Sequence, residues 1–397
     1  MSPTASPPVP AHSASITYAA PRISAFYAAY FLVAGVALPF WPLFLQARGL
    51  SVTEIGLMLG LTLMLRAAAG PFIGRFADRR DSTRGPLVAC AFIVLLVACA
   101  FYWTWGFWPI FVVSAVFTLV YAGVLPLGET IALRTVSAES GYGRVRLWGS
   151  VSYLLAAAVG GAVLEIDAVP SAELILTMII ATIVVMIAGS VAMPDKRGGA
   201  APPAAPILGM LGDRQFRLMV IATTAIHGAH AVFYGFSTLH WLAAGITEWV
   251  IGLLWAGGVV AEVILFACNA PLLRRIGLVG LLGAAAAAGV VRWAVLALTT
   301  EIWALALAQC LHALTFGAMH LGAMVFITRT VPAGSSNTAQ ALFAATTNGL
   351  GLGAGLLLAG VLYAAWGADA YWVCAAVSGL GFMAVVAMRR PARRAEG

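Results

Sequence analysis

The chain has 397 residues, of which 62% are hydrophobic and only 9% are charged, and its mean hydropathy is +0.96. A soluble domain carries about 25% charged residues, so this composition excludes an ordinary water-soluble protein. The apolar stretches are long enough for membrane-spanning helices. The formal net charge of +7 does not indicate nucleic-acid binding, because the basic residues fall at one set of helix ends.

The apolar stretches predict an all-α integral membrane protein with twelve transmembrane helices in two six-helix, pseudo-symmetric halves. Residues 1–21 are rich in Pro, Ser and Ala, lack the features of a signal peptide, and are predicted to be a disordered, uncleaved cytoplasmic tail. Residues 194–215 are rich in Pro, Gly and Ala and predict a flexible cytoplasmic linker between the halves 22–193 and 216–389. Residues 390–397 are predicted to be a second cytoplasmic tail.

The twelve apolar segments, numbered spans one to twelve, lie near 22–45, 51–76, 86–105, 108–134, 144–163, 171–193, 216–240, 249–273, 277–298, 302–329, 337–364 and 369–388.

The distribution of basic residues predicts the orientation of the chain. With the N-terminus inside, nineteen of the 22 Lys and Arg residues lie on the cytoplasmic side. Of the other three, Arg48 lies outside, and Arg66 and Arg292 lie within spans. By the positive-inside rule, both termini are predicted to be cytoplasmic, in a bacterial-type inner membrane.

The two halves contain similar short segments 196 residues apart. Thr53-Glu54-Ile55-Gly56-Leu57 recurs as Val250-Ile251-Gly252-Leu253, and Gly49-Leu50-Ser51 recurs as Gly245-Ile246-Thr247. Duplicated six-helix halves are typical of secondary transporters, whose substrate site lies between the halves near the middle of the membrane.

The same offset makes Arg66 in span two equivalent to Glu262 in span eight. Both residues lie near the middle of their spans. Opposite charges there can pair across a central cavity, or each can be neutralised within its own half. Burial favours the neutral form of a carboxyl group, which suits Glu262 to the uptake and release of a proton. The alternative for Glu262 is a protonated structural acid.

The segment Gly74-Arg75-Phe76-Ala77-Asp78-Arg79-Arg80 resembles the loop signature of the major facilitator superfamily, although Asp81-Ser82-Thr83 departs from its later part. In that family the Asp and Arg of the signature stabilise one conformation. The resemblance therefore implies this role for a motif of Gly74, Asp78 and Arg79.

A second resemblance concerns the start of span five. Tyr142-Gly143-Arg144-Val145-Arg146, with Ser150, is similar to the corresponding segment of lactose permease and its relatives, which carry an acid in span four. Glu129 precedes Arg146 by seventeen positions. The resemblance implies that Glu129 and Arg146 bind substrate and that Arg144 supports them; the alternative is that Glu129 is a solvated charge at a helix end.

A third resemblance lies in spans nine and ten, where Arg292 and His312 are twenty residues apart, as in the proton-coupling cluster of lactose permease. The coupling glutamate of that family is absent, because Thr315 stands at its position. The run from Arg292 to Gln340, which includes His320, resembles the 3-phenylpropionate permease branch. Glu262, Arg292, His312 and His320 are therefore expected to form a proton-coupling group. A packing role remains the alternative for His320.

His227, His230 and Tyr234 share one face of span seven. Two histidines without a nearby carboxylate make a poor zinc site, so no metal is predicted. A polar wall of the substrate cavity is the functional interpretation, and packing between helices is the alternative. Tyr27 and Tyr30 of span one have the same two interpretations.

We predict a proton-coupled symporter of a small organic solute that works by alternating access, with an aromatic monocarboxylate such as a phenylpropionate as substrate. The charged candidates near the centre of the membrane are three arginines and two glutamates: Arg66, Arg146, Arg292, Glu129 and Glu262. A monocarboxylate would neutralise the one excess positive charge. A sugar or nucleoside symporter and a multidrug or solute exporter remain alternatives. An enzyme is not expected, since the sequence shows no catalytic motif. The sequence also shows no P-loop, so we expect the proton gradient rather than ATP to drive transport. No cofactor is predicted. The expected partners are the solute, protons and the lipid bilayer, with the protein as a monomer.

Overall fold

The computed structural model describes residues 12–78, 83–136, 142–166, 171–195, 207–332 and 335–389, and these ranges fold almost entirely into helices. Eleven of their segments are long and apolar enough to cross a membrane. The last segment, Thr338–Arg389, is 52 residues long and contains two helices separated by the short turn Gly367–Asp369. The described chain thus contains the twelve predicted spans, and the predicted fold class is confirmed.

The first six spans comprise the helices His12–Ala47, Val52–Asp78, Arg84–Ala100, Phe107–Thr135, Tyr142–Glu165 and Ala172–Ala192. The next three comprise Arg214–Gly228 with Ala231–Ala243, then Glu248–Ala267, then Asn269–Leu298. The last three comprise Ile302–Cys310 with Ala313–Ala318 and Met319–Thr330, then Ser336–Ala344 with Ala345–Leu352 and Gly353–Trp366, then Ala370–Arg389. Large apolar side chains such as Leu96, Leu307 and Leu358 are exposed on the outside of the bundle, as a lipid-facing surface requires.

Several boundaries differ from the sequence-based expectation. Span one begins at His12, within the predicted tail, because the run around the buried Ala19 continues the helix. Span eight ends at Ala267, and the helix of span nine already begins at Asn269, with a break at Gly277 (φ 68°). Residues 207–212 of the predicted linker form a short helix. Residues 1–11, 196–206 and 390–397 lie outside the described part of the chain.

The internal repeat is visible in two equivalent helix ends. Gly49 and Gly245 both have positive φ angles, 87° and 83°. The Gly49 N–H donates to the Gln46 carbonyl at 2.9 Å, and the Gly245 N–H donates to the Leu242 carbonyl at 2.9 Å. In each case the next residue bonds to the carbonyl five positions back, which completes a Schellman motif. Spans one and seven therefore end in the same way, 196 residues apart.

The two halves pack closely at the end of the bundle that carries these turns. A Cβ added to Gly56 of span two would lie 2.5 Å from the Cα of Gly360 in span eleven. Gly252 of span eight, the equivalent of Gly56, lies against the Ala157 carbonyl of span five in the same way. Only glycine permits such close contact between helix backbones. Two equivalent helix crossings therefore close this end.

Candidate substrate site

The N-terminal half contains a charged pair at the junction of spans four and five. Arg146 Nη1 lies 3.7 Å from Glu129 Oε1, and the two side chains are 40% and 32% exposed. The Tyr142 hydroxyl donates to the same carboxylate oxygen at 3.5 Å. The structure thus brings together the two residues predicted to bind substrate and leaves both accessible.

Aromatic rings of span one lie beside this pair. The guanidinium carbon of Arg146 is 5.5 Å from the ring centroid of Tyr27 and 5.1 Å from that of Phe31. At these distances a guanidinium is attracted to the face of an aromatic ring. Sequence reasoning missed Phe31, although it stands four positions after Tyr27 and so on the same helix face.

Arg66 is held within the N-terminal half. Its Nη2 donates to the Tyr30 hydroxyl at 3.3 Å, and its guanidinium carbon is 5.9 Å from the ring centroid of Tyr121. The rings of Tyr30 and Tyr121 stack at 5.1 Å. Arg66 therefore meets neutral aromatic partners here, and the described contacts include no pairing of Arg66 with Glu262 across the halves.

Four other predicted residues contribute little described geometry. Arg144 is exposed at the start of span five, apart from the pair formed by its neighbour Arg146. Gly74 and Asp78 belong to the last turns of span two, and Arg79 lies outside the described residues. The role expected for this motif stays a prediction.

In the C-terminal half, Arg292 is fully buried at the centre of a polar cluster. Its Nη1 lies 3.0 Å from His312 Nδ1 and donates to the Thr315 hydroxyl at 3.0 Å. Its Nη2 donates to Gln309 Oε1 at 2.6 Å. None of these three acceptors carries a negative charge, so the cluster keeps the positive charge of Arg292.

These contacts define the tautomer of His312. A guanidinium can only donate hydrogen bonds, so His312 Nδ1 must accept and the ring proton must lie on Nε2. Nε2 faces Glu262 Oε2 of span eight at 3.8 Å. His312 is therefore neutral in this arrangement, and its proton points towards the carboxyl group of Glu262.

Thr315 connects Arg292 to His230. His230 Nδ1 lies 3.0 Å from the Ile226 carbonyl, which only accepts, so Nδ1 carries the proton of this ring. In the neutral ring, His230 Nε2 accepts from the Thr315 hydroxyl at 3.1 Å, and the His312 carbonyl at 3.4 Å is the longer alternative acceptor for the same hydroxyl. A continuous chain of hydrogen bonds runs from Arg292 through Thr315 and His230 to the backbone. Thr315 thus acts as a relay where lactose permease relatives carry an acid.

The predicted residues of span seven lie together where that span is interrupted between Gly228 and Ala231. The ring centroids of His230 and Tyr234 are 5.6 Å apart, and that of His227 is 5.5 Å from His230. Interrupted helices near the centre of the membrane are a common feature of transporter sites.

A pocket of about 260 Å³ lies beside His227. It is lined by residues of spans seven, ten and eleven: His227, Phe316, Met319, His320, Met324, Gln340, Phe343, Ala344, Thr347 and Asn348. Gln340 and Asn348 are not among the residues that the sequence predicts for the site, because a lone amide in an apolar run gives no sign of whether it faces a neighbour or a cavity.

The two halves face each other through Arg146. Span five, which carries Arg146, packs against span eight, which carries Glu262. The pair in the N-terminal half and the cluster and pocket in the C-terminal half therefore border one central region.

Comparison with known protein families matches residues 21–374 to the model described as the MFS_1 like family. The chain belongs to this family. The resemblance to major facilitator transporters is thereby confirmed, and the protein is a multi-pass membrane transporter of small molecules rather than an enzyme.

Two curated relatives match over most of their length. The chain is 32% identical over 359 residues to a protein of Escherichia coli (strain K12) described as "Probable 3-phenylpropionic acid transporter", covering 89% of this chain and 93% of that one. It is 28% identical over 351 residues to the maltose permease of Geobacillus stearothermophilus, covering 86% and 87%.

Solved structures share the fold at low sequence identity. The nucleoside transporter NupG matches with a TM-score of 0.78 and 16% identity, covering 94% of this chain and 99% of that one. A bacterial homologue of the human lysosomal transporter Spinster, in an inward-facing and unoccupied conformation, matches with a TM-score of 0.69 and 15% identity, covering 94% of each chain. These similarities concern the fold alone.

Proposed function

We propose that this transporter is a proton-coupled symporter that imports a small aromatic monocarboxylate, such as a phenylpropionate, by alternating access. Its termini would be cytoplasmic in a bacterial-type inner membrane. The observation that carries the proposal is the position of Arg146, whose side chain is 40% exposed and whose guanidinium lies beside two aromatic rings, on a span that packs against the C-terminal half. The similarity to a relative described as a 3-phenylpropionic acid transporter supports the same substrate class.

The balance of charge favours an anionic substrate. Arg146 forms an ion pair with Glu129, whereas the described hydrogen-bond partners of Arg66 and Arg292 are neutral. Charge within a membrane protein is costly unless it is compensated. A substrate carboxylate offsets one positive charge and can accept two parallel hydrogen bonds from a guanidinium.

The contact between Glu262 and His312 supports coupling to protons. In the present arrangement Arg292 keeps His312 neutral, because it occupies the acceptor nitrogen of the ring. A second proton on His312 would require this ring to move away from Arg292. Proton uptake by Glu262 or His312 thus changes the contacts between spans eight, nine and ten. Coupling requires that the proton favour one conformation of the transporter over the other, and a change in these contacts provides such a preference. His320 is a further candidate for this group.

Binding measurements on the purified protein test the substrate class. A ligand that binds the folded state raises its apparent stability by mass action. We expect aromatic monocarboxylates to raise the thermal unfolding temperature of the wild type and of Arg329→Ala, a control that removes an exposed arginine. The same acids should leave Arg146→Ala unchanged. Equal stabilisation of Arg146→Ala would contradict the assignment.

A sugar is the second candidate substrate, because the chain is also similar to a maltose permease and because Glu129 and Arg146 together can bind hydroxyl groups. In that case sugars should stabilise the wild type and lose their effect in Glu129→Gln. Aromatic acids would stabilise neither protein.

A further inference from the structure

The pocket between spans seven, ten and eleven lies where two helices depart from α-helical geometry. Residues Ala313–Ala318 of span ten and Ala345–Leu352 of span eleven are π-helical. The first segment contributes Phe316 to the pocket, and the second contributes Thr347 and Asn348. Because π-helical turns are rare and occur often at functional sites, two of them in the lining make this pocket a candidate ligand site.

His227 is the polar group that this pocket leaves unsatisfied. Its side chain belongs to a residue that is only 3% exposed, and neither ring nitrogen has a hydrogen-bond partner among the described residues. Asn348 approaches the ring without reaching hydrogen-bond geometry. A buried polar group without a partner is destabilising, so a ligand that bonds to His227 would recover this loss.

The other walls of the pocket suit a flat ring. The rings of Phe316 and His320 are nearly parallel, with centroids 6.2 Å apart, and Phe343 lies 5.8 Å from His320. The flexible side chains of Met319 and Met324 complete the lining. Aromatic rings and thioethers make favourable contacts with an aromatic solute.

We propose that this pocket binds the ring of a hydroxylated aromatic monocarboxylate and that His227 forms a hydrogen bond with the ring hydroxyl. The carboxylate end of the same solute would be held by Arg146 of span five, which packs against span eight of the C-terminal half. The inference rests on the proposed function and adds to it the ring substituent that the site selects.

The test compares three acids that differ only in the ring: 3-phenylpropionate and its 3-hydroxyphenyl and 4-hydroxyphenyl analogues. Binding to the purified full-length protein is measured by calorimetry. A neutral hydrogen bond is worth about 1 kcal/mol, so we expect the wild type to bind at least one hydroxylated acid roughly fivefold to tenfold more tightly. The readout is the ratio of the affinities for the hydroxylated and the plain acid in each protein, and His227→Phe should lose this preference.

A matched control is available on the same span. His240 bonds to the Tyr363 hydroxyl at 3.1 Å and does not line the pocket, so His240→Phe should keep the preference for the hydroxylated acid. His227→Phe removes only nitrogens without described partners and keeps a ring, so we expect its unfolding temperature to be no lower than that of the wild type.

The outcomes separate this inference from the proposed function. If the wild type binds all three acids equally, or if His227→Phe keeps the preference, the inference is wrong while the proposed substrate class stands. If none of the acids binds, the proposed function fails and this inference fails with it.

Discussion

Thr315 occupies the most constrained position of the C-terminal cluster. Its hydroxyl accepts from Arg292 and donates to His230, so both of its hydrogen-bonding roles are used by buried partners. Arg292 in turn has the ring faces of Phe233 and Trp293 within 4.7 Å of its guanidinium carbon. A positive charge is thus stabilised within the protein by neutral acceptors and aromatic rings.

Thr315→Val tests the relay. Valine has the same shape but no hydroxyl, so Arg292 loses an acceptor and His230 loses a donor. Leaving buried partners unsatisfied costs about 1–3 kcal/mol, and we expect a clearly lower thermal unfolding temperature. The control is Thr328→Val, which removes an exposed hydroxyl bonded only to the carbonyl of its own helix. Equal stability of the two variants would contradict the hydrogen-bond chain.

Glu262→Gln tests the proton-coupling role. The amide resembles the protonated acid but cannot release a proton, so the variant should lose accumulation of substrate driven by a proton gradient. Exchange of labelled for unlabelled substrate requires no net proton movement and should continue. Glu301→Gln, which changes an exposed acid, should preserve both activities. Normal accumulation by Glu262→Gln would exclude Glu262 as the coupling group.

The sequence predicts these residues better than it predicts their contacts. The resemblance to lactose permease identified Glu129 with Arg146, and Arg292 with His312, and both pairs lie together in the structure. The offset between the halves identified Arg66 and Glu262 as equivalent and left open whether they pair; the described contacts place Arg66 against Tyr30 and Glu262 against His312. Partners such as Tyr121 and Gln309 depend on how separate spans pack, which periodicity within one span does not reveal.

Among the elements, the two glycine crossings have the clearest mechanical role. Gly56 and Gly252 are equivalent in the two halves, and each allows the backbones of two spans from different halves to touch. Rocking of the halves must open these crossings if the site is to face the end of the bundle that carries the Gly49 and Gly245 turns.

Gly252→Val tests this role. The added side chain would collide with the backbone of span five, so we expect the variant to keep this end of the bundle open. Reaction of an introduced cysteine with a membrane-impermeant thiol reagent, applied from the side of this end, should become faster, while substrate transport should fall. Gly257→Val is the matched control on the same span, because a Cβ there meets no described atom within 4 Å. Identical labelling of the two variants would show that the crossing does not gate access.

The existence of the twelve spans was predictable, whereas their irregularities were not. Long apolar runs separated by polar turns define membrane helices by length alone. The π-helical segments of spans ten and eleven do not interrupt the apolar runs that contain them, so hydropathy does not reveal them. Of the residues that line the pocket beside His227, the sequence therefore identified only His227 and His320 as site candidates.

At the scale of the whole molecule, the two halves contribute different chemistry to one central region. The N-terminal half contributes an accessible guanidinium with aromatic neighbours, and the C-terminal half contributes a buried cationic cluster connected to Glu262. In the proposed function, the substrate carboxylate binds to the N-terminal half and the proton binds to the C-terminal half. Movement of one half against the other can link the two events.

The orientation of the chain is tested independently of transport. Nineteen basic residues on one side predict that both termini are cytoplasmic. A reporter protein that is active only in the cytoplasm should therefore be active when fused after residue 397. Activity only of a reporter that requires export would reverse the orientation.

Transport in proteoliposomes tests proton-coupled uptake of an aromatic acid most directly. Labelled 3-phenylpropionate is supplied outside with the exterior more acidic than the interior, and protein-free liposomes correct for passage of the neutral acid through lipid. We predict saturable uptake above this background that disappears in Arg146→Ala and when a protonophore collapses the gradient. Uptake no greater than that of protein-free liposomes, or uptake indifferent to the gradient and to Arg146→Ala, would contradict the proposed function.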